Sequence, residues 1–175
     1  EDKINNYKAS SENIVYLKDI EKIEIVGKSD FTINSNYNFK SENIIISRKD
    51  KIISSDKNTT IIDKENETFY EIGKFSYSLK SEVLKGEEFF INTKYNQPFS
   101  DKYYFKTAIL NLKDQSYIAQ DVDINLKKDL FGNKENDPRF KGTSSSSENG
   151  ITTINKGIFT SCKKNDNCPP WTIQA

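Results

Sequence analysis

Short runs in which every second residue is apolar dominate the chain. Asp121-Val122-Asp123-Ile124-Asn125-Leu126 is the cleanest, and Phe75-Ser76-Tyr77-Ser78-Leu79-Lys80 repeats it. Phe31-Thr32-Ile33-Asn34 and Tyr37-Asn38-Phe39-Lys40 are shorter copies. A period of two puts the apolar side chains of a run on one face of a sheet. Strands buried on one side only belong to antiparallel sheets. Polar clusters between the runs predict turns at Lys18-Asp19, Gly27 to Asp30, Arg48 to Lys51, Asp56 to Asn58, Lys64 to Asn66, Lys85-Gly86 and Lys113 to Gln115. No window of helical length carries apolar residues at i, i+3, i+4 and i+7. Residues 81–89 come nearest, and Gly86 weakens that stretch. The pattern predicts an all-β fold with little helix.

Two short identities suggest an internal repeat. Ser11-Glu12-Asn13-Ile14 matches Ser41-Glu42-Asn43-Ile44, and Tyr37-Asn38-Phe39-Lys40-Ser41 resembles Tyr103-Tyr104-Phe105-Lys106-Thr107. A strand, a Lys/Asp-containing turn and another strand follow each. Stacked units of this kind build a curled, two-sheet slab or a solenoid. Past Leu126 the pattern changes. Lys127 to Asn136 is charged and turn-like, Thr143 to Gly150 reads as a Ser-rich loop, and Ile151 to Phe159 as a last strand or hairpin bending at Gly157. The chain therefore divides into a β-rich segment, 1–130, and a junction, 131–175.

Composition narrows the function. Lys plus Arg and Asp plus Glu stand at 26 each, a balance unlike that of a nucleic-acid binder. With no histidine, a Ser-His-Asp triad, a Cys-His pair and a His-containing zinc site are impossible within the chain. Apolar residues make up only 34%, yet 11 Phe and 9 Tyr weigh against disorder. No segment reads as a signal peptide or a membrane-spanning helix, and the chain reads as a mature or excised fragment.

Few constellations suggest chemistry. Asp121, Asp123, Glu87 and Glu88 alternate with apolar residues, which marks a solvated sheet face rather than a glycosidase pair. No catalytic residue, metal site or cofactor is expected. Cys162 and Cys168 suit a disulfide, closed locally or to cysteines elsewhere; free thiols and a metal clip are the other readings. Trp171, after Pro169-Pro170, reads as a packing anchor. Asp137-Pro138-Arg139-Phe140 reads as a turn followed by a buried Phe, with Arg139 in a structural ion pair or, less simply, on a phosphate or carboxylate.

The junction resembles that of the LptD family of LPS-assembly outer-membrane proteins, also called organic solvent tolerance proteins. The matching residues are Phe131-Gly132-Asn133, Asn136 to Gly142, Ile154-Asn155-Lys156-Gly157, Phe159-Thr160-Ser161-Cys162 and Trp171 to Ala175. In that family a Pro-Arg-(aromatic or Leu)-x-Gly segment, a Lys-Gly step, a Thr-(Ser or Thr)-Cys step and a Trp-x-(Ile or Leu)-x-Ala segment link the periplasmic domain to the barrel. The preceding repeats resemble the family's OstA-type β-jellyroll. The resemblance implies the periplasmic domain of a Gram-negative LPS translocon, on the periplasmic face of the outer membrane. Its implied partners are lipopolysaccharide, a periplasmic LPS bridge protein docked through an edge strand within Asn5 to Tyr16, and the translocon's outer-membrane lipoprotein plug. A barrel would follow Ala175. Many relatives pair the junction cysteine with cysteines of the barrel; here Cys168 lies close to Cys162, so a local bridge is an alternative and the long-range connectivity is not assumed. A slab of one-sided strands, open along one side, would offer an apolar trough to lipid. Phe31, Ile33, Tyr37, Phe39, Phe75, Tyr77, Leu79, Val122, Ile124 and Leu126 are its expected lining. The rival reading is a non-catalytic β-module that docks envelope proteins by strand addition and has a solid core.

Overall fold

A computed structural model describes residues 7–128, 130–132, 136–163 and 172–174. Strand accounts for 67% of the described residues and helix for 2%. The strands are β1 (Tyr7–Leu17), β2 (Lys22–Ile33), β3 (Tyr37–Ser47), β4 (Ile52–Ser55), β5 (Thr59–Asp63), β6 (Thr68–Ser78) and β7 (Val83–Thr93). They continue with β8 (Lys102–Asn111), β9 (Ser116–Asn125), β10 (Arg139–Glu148), β11 (Ile151–Asn155), β12 (Ile158–Thr160) and β13 (Ile173–Gln174). All 13 form one antiparallel sheet, in which each strand lies mostly beside its neighbour in sequence. Lys18–Ile20 forms a single 3-10 turn.

The sheet is creased along one line. Every long strand loses its pairing near its middle: at Glu12, Gly27, Asn43, Gly73, Glu88, Lys106, Asp121 and Thr143. The chain breaks outright between β4 and β5, which pair with opposite halves of β3 and β6. Gly27, Asn43, Glu88 and Asp121 sit on the line with positive φ, as residues of a bulge can. The alternation shifts by one there, although only the β1–β2 and β2–β3 ladders change register. Buried positions step by three across the crease: Ser41 to Ile44, Ile72 to Phe75, Phe105 to Ala108 and Ala119 to Val122. Both halves of each strand thereby turn their apolar residues toward the same interior. The two layers of the slab are two leaves of a single sheet.

Lost ladder bonds at the crease are replaced by hydroxyls. Ser29 Oγ donates to the Ser41 carbonyl at 3.0 Å, and Ser55 Oγ to the Glu42 carbonyl at 2.8 Å. Ser41 and Thr59 hydroxyls lie 2.6 Å apart, and Gly27 N–H donates to Asn43 Oδ1 at 3.1 Å. Ser29, Ser41, Ser55 and Thr59 are buried, where an unmet polar group would be costly.

Several turn expectations need correction. Gly27 to Asp30 and Lys85-Gly86 lie inside β2 and β7, because their glycines serve the crease and close packing rather than chain reversal. Residues 81–89 lead into β7, in keeping with the lack of a helical stripe there. The Ser-rich stretch from Thr143 is strand, not loop: it is the far half of β10, paired on both sides by β9 and β11, with Ser145 buried. Of the two readings of Ile151 to Phe159, a last strand or a hairpin, the structure has the strand: β11 and β12 lie end to end along β10, interrupted at 156–157. Strands of the junction extend the sheet without a break.

Candidate functional site

The interior changes character from one end to the other. Between β1 and β6 it is closed by interlocking aromatic rings. Tyr7 and Phe31 centroids lie 5.3 Å apart, Phe31 and Phe39 6.0 Å, Phe39 and Phe75 5.8 Å, and Phe39 and Tyr77 5.9 Å. Phe31, Phe39 and Tyr77 have no exposed surface. Phe39 belongs to one leaf and Phe75 and Tyr77 to the other, so these contacts seal the leaves together.

Toward β8–β13 the leaves part. A cavity of about 390 Å³ lies between Tyr103, Ile124, Leu126, Phe140, Ile154, Phe159 and Ile173. A smaller one, about 150 Å³, continues inward past Tyr70, Ile91, Leu110 and Leu112, sharing Tyr103 and Thr152 with the first. The split follows from topology. The outer lane beyond β10 is shared by β11, on one leaf, and β12, on the other, so the last strands of the two leaves are separate short pieces. Phe140 stacks on Phe159 at 4.6 Å along one wall, and Tyr103 meets Tyr117 edge-on at 6.5 Å on the inner side. Burial pushes the Tyr103 hydroxyl well above its ordinary pKa and raises that of Tyr117. The mouth is apolar, uncharged and within the size range of small-molecule sites.

The structure places the ten expected lining residues in three settings. Ile124 and Leu126 line the mouth. Phe31, Ile33, Tyr37, Phe39, Phe75, Tyr77 and, farther along on β9, Val122 are buried in the core. Leu79 is half-buried at the margin of the core. Sequence reasoning missed Tyr103, Phe140, Ile154, Phe159 and Ile173. All but Tyr103 belong to the junction motif, whose apolar residues face the same gap as Ile124. Tyr103 carried a usable signal, its match to Tyr37.

The junction is tied down around Arg139. Its guanidinium donates to the carbonyls of Asp137 and Cys162 rather than to a carboxylate. Asp137 N–H donates to the Ser161 carbonyl at 3.1 Å, and Lys128 bridges the Asp137 carboxylate at 3.2 Å. Phe140 is half-buried. Cys162 is buried; Cys168 and Trp171 lie outside the described residues.

Two surfaces lie outside the interior. A broader concavity of about 1140 Å³ covers the outer face of one leaf, with Val26, Ile45, Ser54, Ser76, Ile109 and Ile118 among its lining. Charged residues of both signs ring it, including Glu24, Lys74, Lys85 and Glu87. At the other end of the sheet β1 is an edge strand, hydrogen-bonded to β2 alone among the described residues. Its Ile14, Val15, Tyr16 and Leu17 are all exposed, on both faces. No family model matches the chain, and no curated protein matches it.

Proposed function

We propose that the chain is the periplasmic domain of an LPS translocon, resembling the LptD family, which takes acyl chains of lipopolysaccharide between its leaves and passes them toward an outer-membrane barrel. The observation that carries this reading is the interior itself, packed solid near β1 and hollow and apolar beside the strands of the junction. An acyl chain gains about 0.8 kcal/mol for each CH₂ it buries, so a site for it needs apolar walls and no reactive group. A gradient from filled to open gives the lipid a preferred end. The edge strand supports the second half of the proposal. An unpaired edge offers backbone N–H and C=O groups to a partner's strand, here that of a periplasmic bridge protein. The outer-membrane lipoprotein of the translocon would meet the junction side. The domain then works at the periplasmic face of the outer membrane, without cofactor or catalysis.

A second reading rests on the same edge. The exposed Ile14 to Leu17 segment suits a non-catalytic module that docks envelope proteins by strand addition and leaves its cavity unused. Native mass spectrometry of the chain purified from Gram-negative cells separates the two. Co-purified LPS, lost on Ile124→Asp while the fold is retained, is expected. Lipid-free protein that still captures a partner strand would favour the docking module.

A further inference from the structure

Gly142 and Gly157, the two glycines of the Pro-Arg and Lys-Gly segments, meet at one methyl group. A Cβ on Gly142 would lie 2.4 Å from Ile154 Cγ2 and 3.1 Å from the Asn155 carbonyl oxygen. A Cβ on Gly157 would lie 3.2 Å from the same Ile154 Cγ2. Gly27, Gly132 and Gly150 differ: their φ is positive and nothing lies within 4 Å of an added Cβ. Glycine is therefore required by space at 142, and at 157 an added Cβ fits only if Ile154 gives by tenths of an ångström. The two positions form a notch between β10 and the β11–β12 turn, and the Ile154 side chain rests in it.

Ile154 also lines the 390 Å³ cavity, opposite Ile124 and Leu126 on the other leaf. It stands on β11, which pairs only with β10 among the described residues, so its strand has a free side on which to shift. We propose that Ile154, seated in the Gly142–Gly157 notch, sets the bore of the mouth and so selects acyl chains by cross-section. This rests on the reading that the cavity takes acyl chains. Seated, the side chain lies back against the wall and a linear chain passes. Filling the notch drives it into the cavity. Trimming it widens the passage enough for a branched chain.

The test is binding of the fluorescent fatty acid cis-parinaric acid to the purified chain, with displacement by linear tetradecanoic acid and by branched phytanic acid. Gly142→Ala should weaken binding about tenfold, equivalent to about 1.4 kcal/mol. Gly157→Ala should weaken it less, because 3.2 Å needs a shift of only tenths of an ångström. Ile154→Ala should improve phytanic acid relative to tetradecanoic acid by roughly fivefold or more, on the scale of its lost methylenes. The double variant Gly142→Ala/Ile154→Ala should bind the probe as the unmodified chain does. Thermal unfolding is followed for each, and Ile154→Phe, which narrows the mouth without touching either glycine, serves if Gly142→Ala does not fold. Strictly additive effects in the double variant, or an unchanged preference in Ile154→Ala, would overturn the gate while leaving acyl binding intact. Absence of probe binding in every variant, Ile154→Ala included, would overturn the acyl-chain reading and the gate with it.

Discussion

Burial acts on single residues here chiefly through tyrosine. Desolvation, followed by the negative charges of Asp63, Glu82 and Glu65, pushes the Tyr37 hydroxyl up to about 12. The same cause, burial first, raises Tyr70, Tyr77, Tyr103 and Tyr117. In the unfolded chain these groups ionise near pH 10. Between that pH and the folded values the unfolded state binds fewer protons than the folded one, so stability falls as pH rises. The contribution is fully present below about pH 10 and is lost toward pH 12 and above. Urea midpoints should stay level on the neutral side and drop steeply from about pH 10, with tyrosinate absorbance appearing in the same step as unfolding. Buried tyrosines ionising near pH 10 with the sheet still intact would contradict it. Asp63 shows the opposite use of a buried polar group. Its carboxylate accepts from Asn36 Nδ2 at 3.0 Å, from the Glu65 and Asn66 N–H groups at 3.1 Å and from Asn66 Nδ2 at 2.8 Å, and so fixes two turns at once.

At the scale of the strand the crease decides what was legible. Each half-strand alternates with period two, and that much reads directly from residues such as Val122 to Leu126. The step of three across Gly73, Glu88 or Asp121 breaks the pattern in mid-strand, so one long strand reads as two short runs. Gly27 and Lys85-Gly86 look like turns for the same reason. The Ser-Glu-Asn repeat at 11–13 and 41–43 was visible, and the structure gives it a meaning: both copies lie on the crease, where Ser11 Oγ donates to the Val26 carbonyl at 3.0 Å and Asn43 Oδ1 caps Gly27. β1 carries the element-scale prediction. Beyond Glu12 every residue of it is exposed. If a bridge-protein strand adds to this edge, proline at Asn13 or Ser11 should weaken docking by removing a donor, provided that N–H faces outward. An Ile14→Lys change should weaken it as well, as charges do on edges. The check is affinity for the bridge protein by calorimetry, with circular dichroism to verify the fold. Undiminished affinity in all three variants would place the partner elsewhere.

Over the whole molecule, what the sequence could not separate was core from cavity. Phe39 and Ile124 look alike in the chain: each is an inward apolar residue of a one-sided strand. Their difference arises from what lies across the gap. Phe39 faces Phe75 and Tyr77, large rings on the opposing leaf, and the space closes. Ile124 faces the lane where β11 and β12 replace one continuous strand, and the space stays open. Only the three-dimensional pairing of leaves supplies that distinction. It yields a graded prediction for a photo-crosslinking residue placed singly in the purified chain and exposed to LPS. Ile124 and Leu126 should capture acyl chains. Asp123, turned to the outer face and paired with Lys141 at 3.1 Å, should not. Phe39 should not either, because opening the sealed end would expose rings whose burial is worth about 1.5–3 kcal/mol each. Capture at Phe39 with an unaltered circular dichroism spectrum would mean that the leaves part along their full width, and that the trough runs through all ten residues the alternation picks out. Capture at no inward position, with partner binding through β1 preserved, would leave the domain a docking module whose cavity carries no lipid.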